Sequence, residues 1–147
     1  MKMKRLIKQI AALTLALVAS YATAGEFRIS CAYKNDNLQK CATVVADLVS
    51  DKFIKRFPAT KFSIFVYSHI SSFSNGGYSA HAVSGVIPGR SNEFPKGRFS
   101  VNDSDTSNKP FTEEELAEIE LKIFRKVVQN LMEQCEISPN CDVYSPR

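Results

Sequence analysis

Residues 61–87 read KFSIFVYSHISSFSNGGYSAHAVSGVI, and this stretch decides the fold. From Lys61 to Phe73 the side chains alternate: Phe62, Ile64, Val66 and Ile70 fall on one face, and Phe65, Tyr67, His69 and Phe73 on the other. A period of two with β-branched and aromatic content predicts a strand. Tyr78 to Ile87 is of similar length and mixture, and Ser74-Asn75-Gly76-Gly77 supplies residues that tolerate positive φ, so the two segments predict a long hairpin. A tight turn on Asn75-Gly76 sets Phe73 opposite Tyr78, Ser71 opposite Ala80, His69 opposite Ala82, Tyr67 opposite Ser84 and Phe65 opposite Val86. In that register Phe65, Tyr67, Phe73 and Tyr78 share one face, while Phe62, Ile64, Val66 and Ile87 take the other. A three-residue turn slips the register by one and alters the cross-strand neighbours.

Working outward, Leu38, Cys41, Ala42, Val45, Leu48, Val49 and Phe53 form an apolar stripe at helical spacing. Asp36 or Asn37 is placed to accept a backbone N–H at its start, and Pro58 ends it near Phe57. Glu26 to Ser30 reads as a short edge strand before it. After the hairpin, Pro88-Gly89 makes a turn, Gly97 to Asn102 a third strand of the row, and Asp103 to Lys109 a solvated linker. The last element is a helix over 113–135. Thr112 and Glu115 have capping-box spacing, flanked by Phe111 and Leu116 as a staple, and Ile119, Ile123, Val127, Leu131 and Cys135 recur every fourth residue. The resulting β-α-β-β-β-α order predicts an α+β two-layer sandwich: an antiparallel sheet of three to four strands with two helices on one face.

The 147 residues suffice for one domain. Residues 1–24 have the pattern of a cleaved export signal: Lys2, Lys4, Arg5 and Lys8, an apolar run from Ile10 to Ala19, and small residues at Ala22 and Ala24. Its Lys-rich, short format points to a bacterial periplasmic or secreted product. Residues 25–147 then form a single domain, with no further apolar stretch able to span a membrane. Those four cations belong to the leader, which holds no acid, so 15 of the 19 basic residues remain to balance 15 acidic ones. A neutral body gives no electrostatic footprint for nucleic acid or an anionic membrane.

Cys31, Cys41, Cys135 and Cys141 are an even set in an exported chain and predict two disulfides. Spacing alone leaves three connectivities open. Local pairing, Cys31 with Cys41 and Cys135 with Cys141, is preferred because Ser138-Pro139-Asn140 makes a turn between the second pair. The absence of Cys-x-x-Cys knuckles argues against structural zinc or a redox motif.

No catalytic constellation emerges. His69 and His81 are the only histidines, and in the tight-turn register they project to opposite sheet faces, His81 into the core. Ser84 lacks the first glycine and the following helix of a nucleophile elbow. Glu113 to Glu115 are explained by the helix start, and nothing in the spacing holds Glu93, Asp103 and Asp105 as a glycosidase pair. The residues do offer contact surfaces. Phe65, Tyr67, Phe73 and Tyr78 would form an aromatic patch on the sheet face without helices. Arg90, Phe94, Lys96 and Arg98, opposed only by Glu93, form a basic loop suited to an acidic partner.

From Leu38 to Cys135 the order of helix, three strands and helix is similar to that of the small periplasmic accessory factor of the curli secretion system, and to the double-stranded-RNA-binding fold. The similarity is one of element order, with no diagnostic motif matched residue by residue. Export, neutral charge and disulfides oppose the RNA-binding function. The expectation is therefore an exported, non-catalytic protein-binding module, accessory or chaperone-like, with no cofactor. A periplasmic immunity protein that plugs an antibacterial toxin is the first alternative, and a small secreted hydrolase the second.

Overall fold

The computed structural model describes residues 27–33, 41–89, 91, 100–137 and 141. The export signal expected at residues 1–24 and the polar segment expected before Leu38 lie outside the described residues. The elements run β1 (Ile29–Ala32), α1 (Cys41–Val45), α2 (Asp51–Arg56), β2 (Phe62–Ser72), β3 (Tyr78–Pro88), β4 (Ser100–Ser107) and α3 (Glu113–Ile137). They form an α+β sandwich: a four-stranded sheet in the order β1-β2-β3-β4, with the three helices packed on one face. The sheet is mixed, because β1 pairs parallel to β2 while β2–β3 and β3–β4 are antiparallel. A parallel neighbour requires a crossover, and the segment carrying α1 and α2 provides it.

The hairpin turn sets the sheet. Phe73 N donates to Gly77 O at 2.7 Å and Gly76 N donates to Phe73 O at 2.9 Å, which leaves Ser74, Asn75 and Gly76 as a three-residue loop. Gly76 sits at φ 84°, the left-handed region that such loops need at their last position, and Asn75 Oδ1 accepts from Gly77 N at 3.0 Å. A two-residue type I′ turn needs positive φ at both central residues, and among the described residues Gly76 alone has it. The register is consequently one step from the tight-turn expectation. Ser72 pairs with Tyr78, Ile70 with Ala80, His69 with His81 and Phe65 with Gly85. Gly77 has a further constraint, since a Cβ there would come within 2.3 Å of Ser107 O on β4.

The helix-facing side of the sheet supplies Ile64, Val66, Ile70, Tyr78, Ala80, Ala82 and Val86 to the core, where they meet Val45, Phe53 and Phe57 from the crossover and Leu116, Ile123, Phe124, Val127, Val128, Leu131 and Met132 from α3. Ile87 falls on the other face, against the expectation that grouped it with Phe62, Ile64 and Val66. Among the described residues one charged side chain is fully buried in this layer. Glu120 is 1% exposed, and Ser68 Oγ donates to its Oε1 at 2.8 Å, which offsets part of the cost of taking a carboxyl out of water.

α3 starts as its sequence dictates. Thr112 N donates to Glu115 Oε2 at 2.7 Å and Glu115 N to Thr112 Oγ1 at 3.2 Å, both halves of a capping box. Its C-terminal end has no basic residue of its own in the last turn. The cations come from α2 instead: Arg56 donates to Cys135 O at 2.8 Å and Lys52 to Glu136 O at 3.0 Å, placing positive charge at the negative end of the helix dipole. Arg125 ties the same helix to the other half of the crossover by a two-pronged contact with Asp47, at 2.9 and 2.7 Å, and by a hydrogen bond to Val44 O.

Two expected elements differ. The single helix from Leu38 to Phe57 is divided, because Ser50 accepts from Phe53 N at 3.1 Å and caps a new helix at Asp51. The expected linker Asp103 to Lys109 is largely strand β4. Its acids escape a strand reading because they point inward from an edge: Asp103 pairs with Lys126 at 2.8 Å, and Asp105 Oδ2 accepts from Tyr78 Oη at 2.9 Å. Inward charges on an edge strand also discourage the addition of a further strand.

Cys31 is joined to Cys41 and Cys135 to Cys141, the local pairing. The first bridge pins β1 to the start of α1, across a separation of 10 residues. Replacing Cys31 and Cys41 by serine should lower unfolding free energy in urea by about 2–3 kcal/mol, the chain-entropy value for so short a loop. Asp47 gives a second test. The hydrogen bond from Arg125, aided by its charge, holds the Asp47 carboxyl below its ordinary range against a smaller opposing effect of desolvation. Its stabilisation is present above the ordinary aspartate value of about 3.9 and is lost as pH falls through the lowered one. Asp47→Asn should therefore be less stable than the parent at neutral pH, and urea titrations should show the difference closing in acid.

Candidate functional site

The sheet has a second face, away from the helices, and the register decides what stands on it. β2 sends Phe65, Tyr67, His69 and Ser71 to that side, β3 sends Ser79, His81, Val83 and Ile87, and β4 sends Asn102, Ser104 and Thr106. The face has two halves. Toward the start of β2, Phe65 is 6% exposed and Ile87 0%. Toward the hairpin turn, Tyr67, His69, Ser79 and Val83 are half-buried, while Ser71, His81 and the three β4 side chains are exposed.

Three rings meet in the open half. Tyr67 and His69 follow each other on the same side of β2 and stack with centroids 6.5 Å apart and planes 13° from parallel. His81 crosses from β3, with its ring centre 5.6 Å from Tyr67 and 5.7 Å from His69. His69 Nε2 lies 2.9 Å from Ser71 Oγ in a hydrogen bond. The two histidines are direct cross-strand partners on one face, which corrects the expectation of opposite faces, and His81 is exposed where a core position was expected. The one-residue register shift is the whole cause. Two successive glycines after Asn75 were the signal that a three-residue loop was available.

The residues expected to form the aromatic patch therefore separate. Tyr67 is half-buried and Phe73, at the base of the turn, is 40% exposed. Phe65 is buried. Tyr78 is on the helix side, 5% exposed, packed edge to face on Phe111 at 4.9 Å and donating to Asp105. Burial, followed by the neighbouring Asp105, pushes its phenol above the ordinary tyrosine range. Arg90, Phe94, Lys96 and Arg98 of the expected basic loop lie outside the described residues.

The helix side offers a different chemistry. A cleft of about 210 Å³ between β4 and α3 is lined by Asp103, Asp105, Ile119, Lys122 and Lys126. The Asp103 carboxylate holds Lys126 as its ion partner and raises the affinity of that amine for its proton. Ser84 is fully buried in mid-strand on this side, its hydroxyl without a partner among the described residues, and the sheet separates it from both histidines. Among the described residues no group of three or more His, Cys, Asp or Glu is arranged around a common metal position, and no helix is long and apolar enough to cross a membrane.

No family model matches the chain, and no curated protein matches it.

The separation of the aromatic set has a measurable consequence. Phe65→Ala should cost about 3–5 kcal/mol, as for a filled core position, while Phe73→Ala should change stability by no more than about 0.5 kcal/mol. Urea unfolding of the two variants checks this, and comparable losses would show that the two rings are equally buried.

Proposed function

We propose that this protein is an exported, non-catalytic binding module, accessory or chaperone-like in character, which docks a protein partner on the turn-proximal half of its open sheet face. The observation that carries the reading is the cluster of Tyr67, His69 and His81 on the side of the sheet away from the three helices, with Phe73 exposed at the base of the turn. Rigid aromatic side chains bring large contact area at little entropic cost, and their rim here is hydroxyl and amide from Ser71, Ser79, Asn102, Ser104 and Thr106. Apolar anchors within a polar rim are the usual anatomy of a protein interface. The two disulfides fit an oxidising compartment, in keeping with the leader at residues 1–24.

The reading is tested by placing a photo-crosslinking residue at Phe73 and, as a control on the solvent side of α3, at Glu118, then irradiating the exported protein in its native cells. Phe73 should give a discrete adduct that the control position lacks. The identified partner, purified, should bind the parent chain and lose at least tenfold in affinity to Tyr67→Ala/Phe73→Ala. Equal binding by parent and double variant would overturn the assignment of this face.

A further inference from the structure

The chain contains two histidines, and the fold sets them directly opposite each other on the exposed part of one sheet face. Two imidazoles held this way have a chemistry that neither has alone. An imidazole nitrogen binds Cu²⁺ or Zn²⁺ at about 2.0–2.1 Å, which puts each ring centre roughly 3 Å from the ion and two ring centres about 5–6 Å apart at open ligand angles. The His69 and His81 centres are 5.7 Å apart. The strands therefore hold the rings at chelating separation before any metal arrives.

We propose that His69 and His81 together form a two-imidazole site for a divalent transition metal, with Cu²⁺ held more tightly than Zn²⁺ and water in the remaining coordination positions. Three features of the surroundings support the assignment. When Ser71 Oγ accepts from Nε2–H of His69, the proton is fixed on that nitrogen and the lone pair of Nδ1 is left for a metal, the arrangement by which a partner on one ring nitrogen prepares the other. The rings of Tyr67 and His69 stand nearly parallel, 13° apart, with centroids separated by 6.5 Å. The flanking positions Ser71, Ser79, Asn102, Ser104 and Thr106 are neutral and small or exposed, so among the described strand residues of this face no cation stands beside the pair, and His81 is exposed. Ligand type then sets the order of metals. Imidazoles without carboxylates disfavour Mg²⁺ and Ca²⁺, and the first-row series places Cu²⁺ above Zn²⁺.

This inference does not rest on the docking of a protein partner, and its test uses the chain alone. The full chain, without an affinity tag, is titrated with CuCl₂ by calorimetry beside His69→Gln, His81→Gln and the double variant. Metal-free unfolding midpoints confirm that each variant is folded; His81 is exposed and His69 half-buried, outside the helix-side core. The parent should bind one Cu²⁺ with two nitrogen donors in its electron paramagnetic resonance spectrum, and each single variant should lose at least tenfold in affinity and one nitrogen. Copper should also raise the thermal midpoint of the parent and not of the double variant, because the pair is assembled only in the native state. The proposal is overturned by an absence of saturable binding, by binding that the double variant keeps, or by a loss that appears only when both residues are changed.

Discussion

Gly76 is the narrowest constraint in the molecule. Its left-handed φ closes a three-residue loop, the loop fixes which residues of β2 and β3 face each other, and a strand period of two then assigns every side chain of the hairpin to a layer. Ile64, Val66 and Ile70 are delivered to the helices with Tyr78, Ala80 and Ala82. The small residues opposite the large ones leave room for α3 to lie across the sheet. An L-side chain at this position would strain the turn, and the closest atoms its Cβ would meet, 3.1 Å away, belong to Pro110 at the approach to α3.

The second set of constraints holds the short crossover. α1 and α2 have 5 and 6 residues, too few to be stable helices alone. They persist because α3 and the sheet give them partners. Arg125 grips Asp47 and the end of α1, Arg56 and Lys52 cap the end of α3, and Cys31–Cys41 binds β1 to α1. Each side of the exchange satisfies groups the other would leave open: α2 provides the cations that α3 lacks, and α3 provides the carbonyls they neutralise. Cys135–Cys141 then secures the chain just where Arg56 reaches it, as Arg56 also contacts Cys141 O at 3.5 Å.

These constraints give the sheet two unlike sides. On the helix side three acidic side chains lie against partners: Glu120 with Ser68, Asp103 with Lys126, Asp105 with Tyr78. The turn-proximal part of the other side is neutral, aromatic and imidazole-rich. The polar contacts of the helix side hold the layers together, whereas on the other side His81 is exposed and His69 half-buried beside it.

Much of this could be read without coordinates. The alternation in 61–87, the fourfold steps of α3 and the Thr112–Glu115 box are local patterns, and local patterns survive in sequence because they arise from backbone periods and from hydrogen bonds three residues apart. They were enough for an α+β sandwich with helices on one face. The parallel placement of β1, the break at Ser50, the strand character of 103–107 and the pairing of His69 with His81 were decided by tertiary structure. Each depends on a partner distant in sequence or on one residue of loop length, and a change of one in a two-residue period reverses every face beyond it.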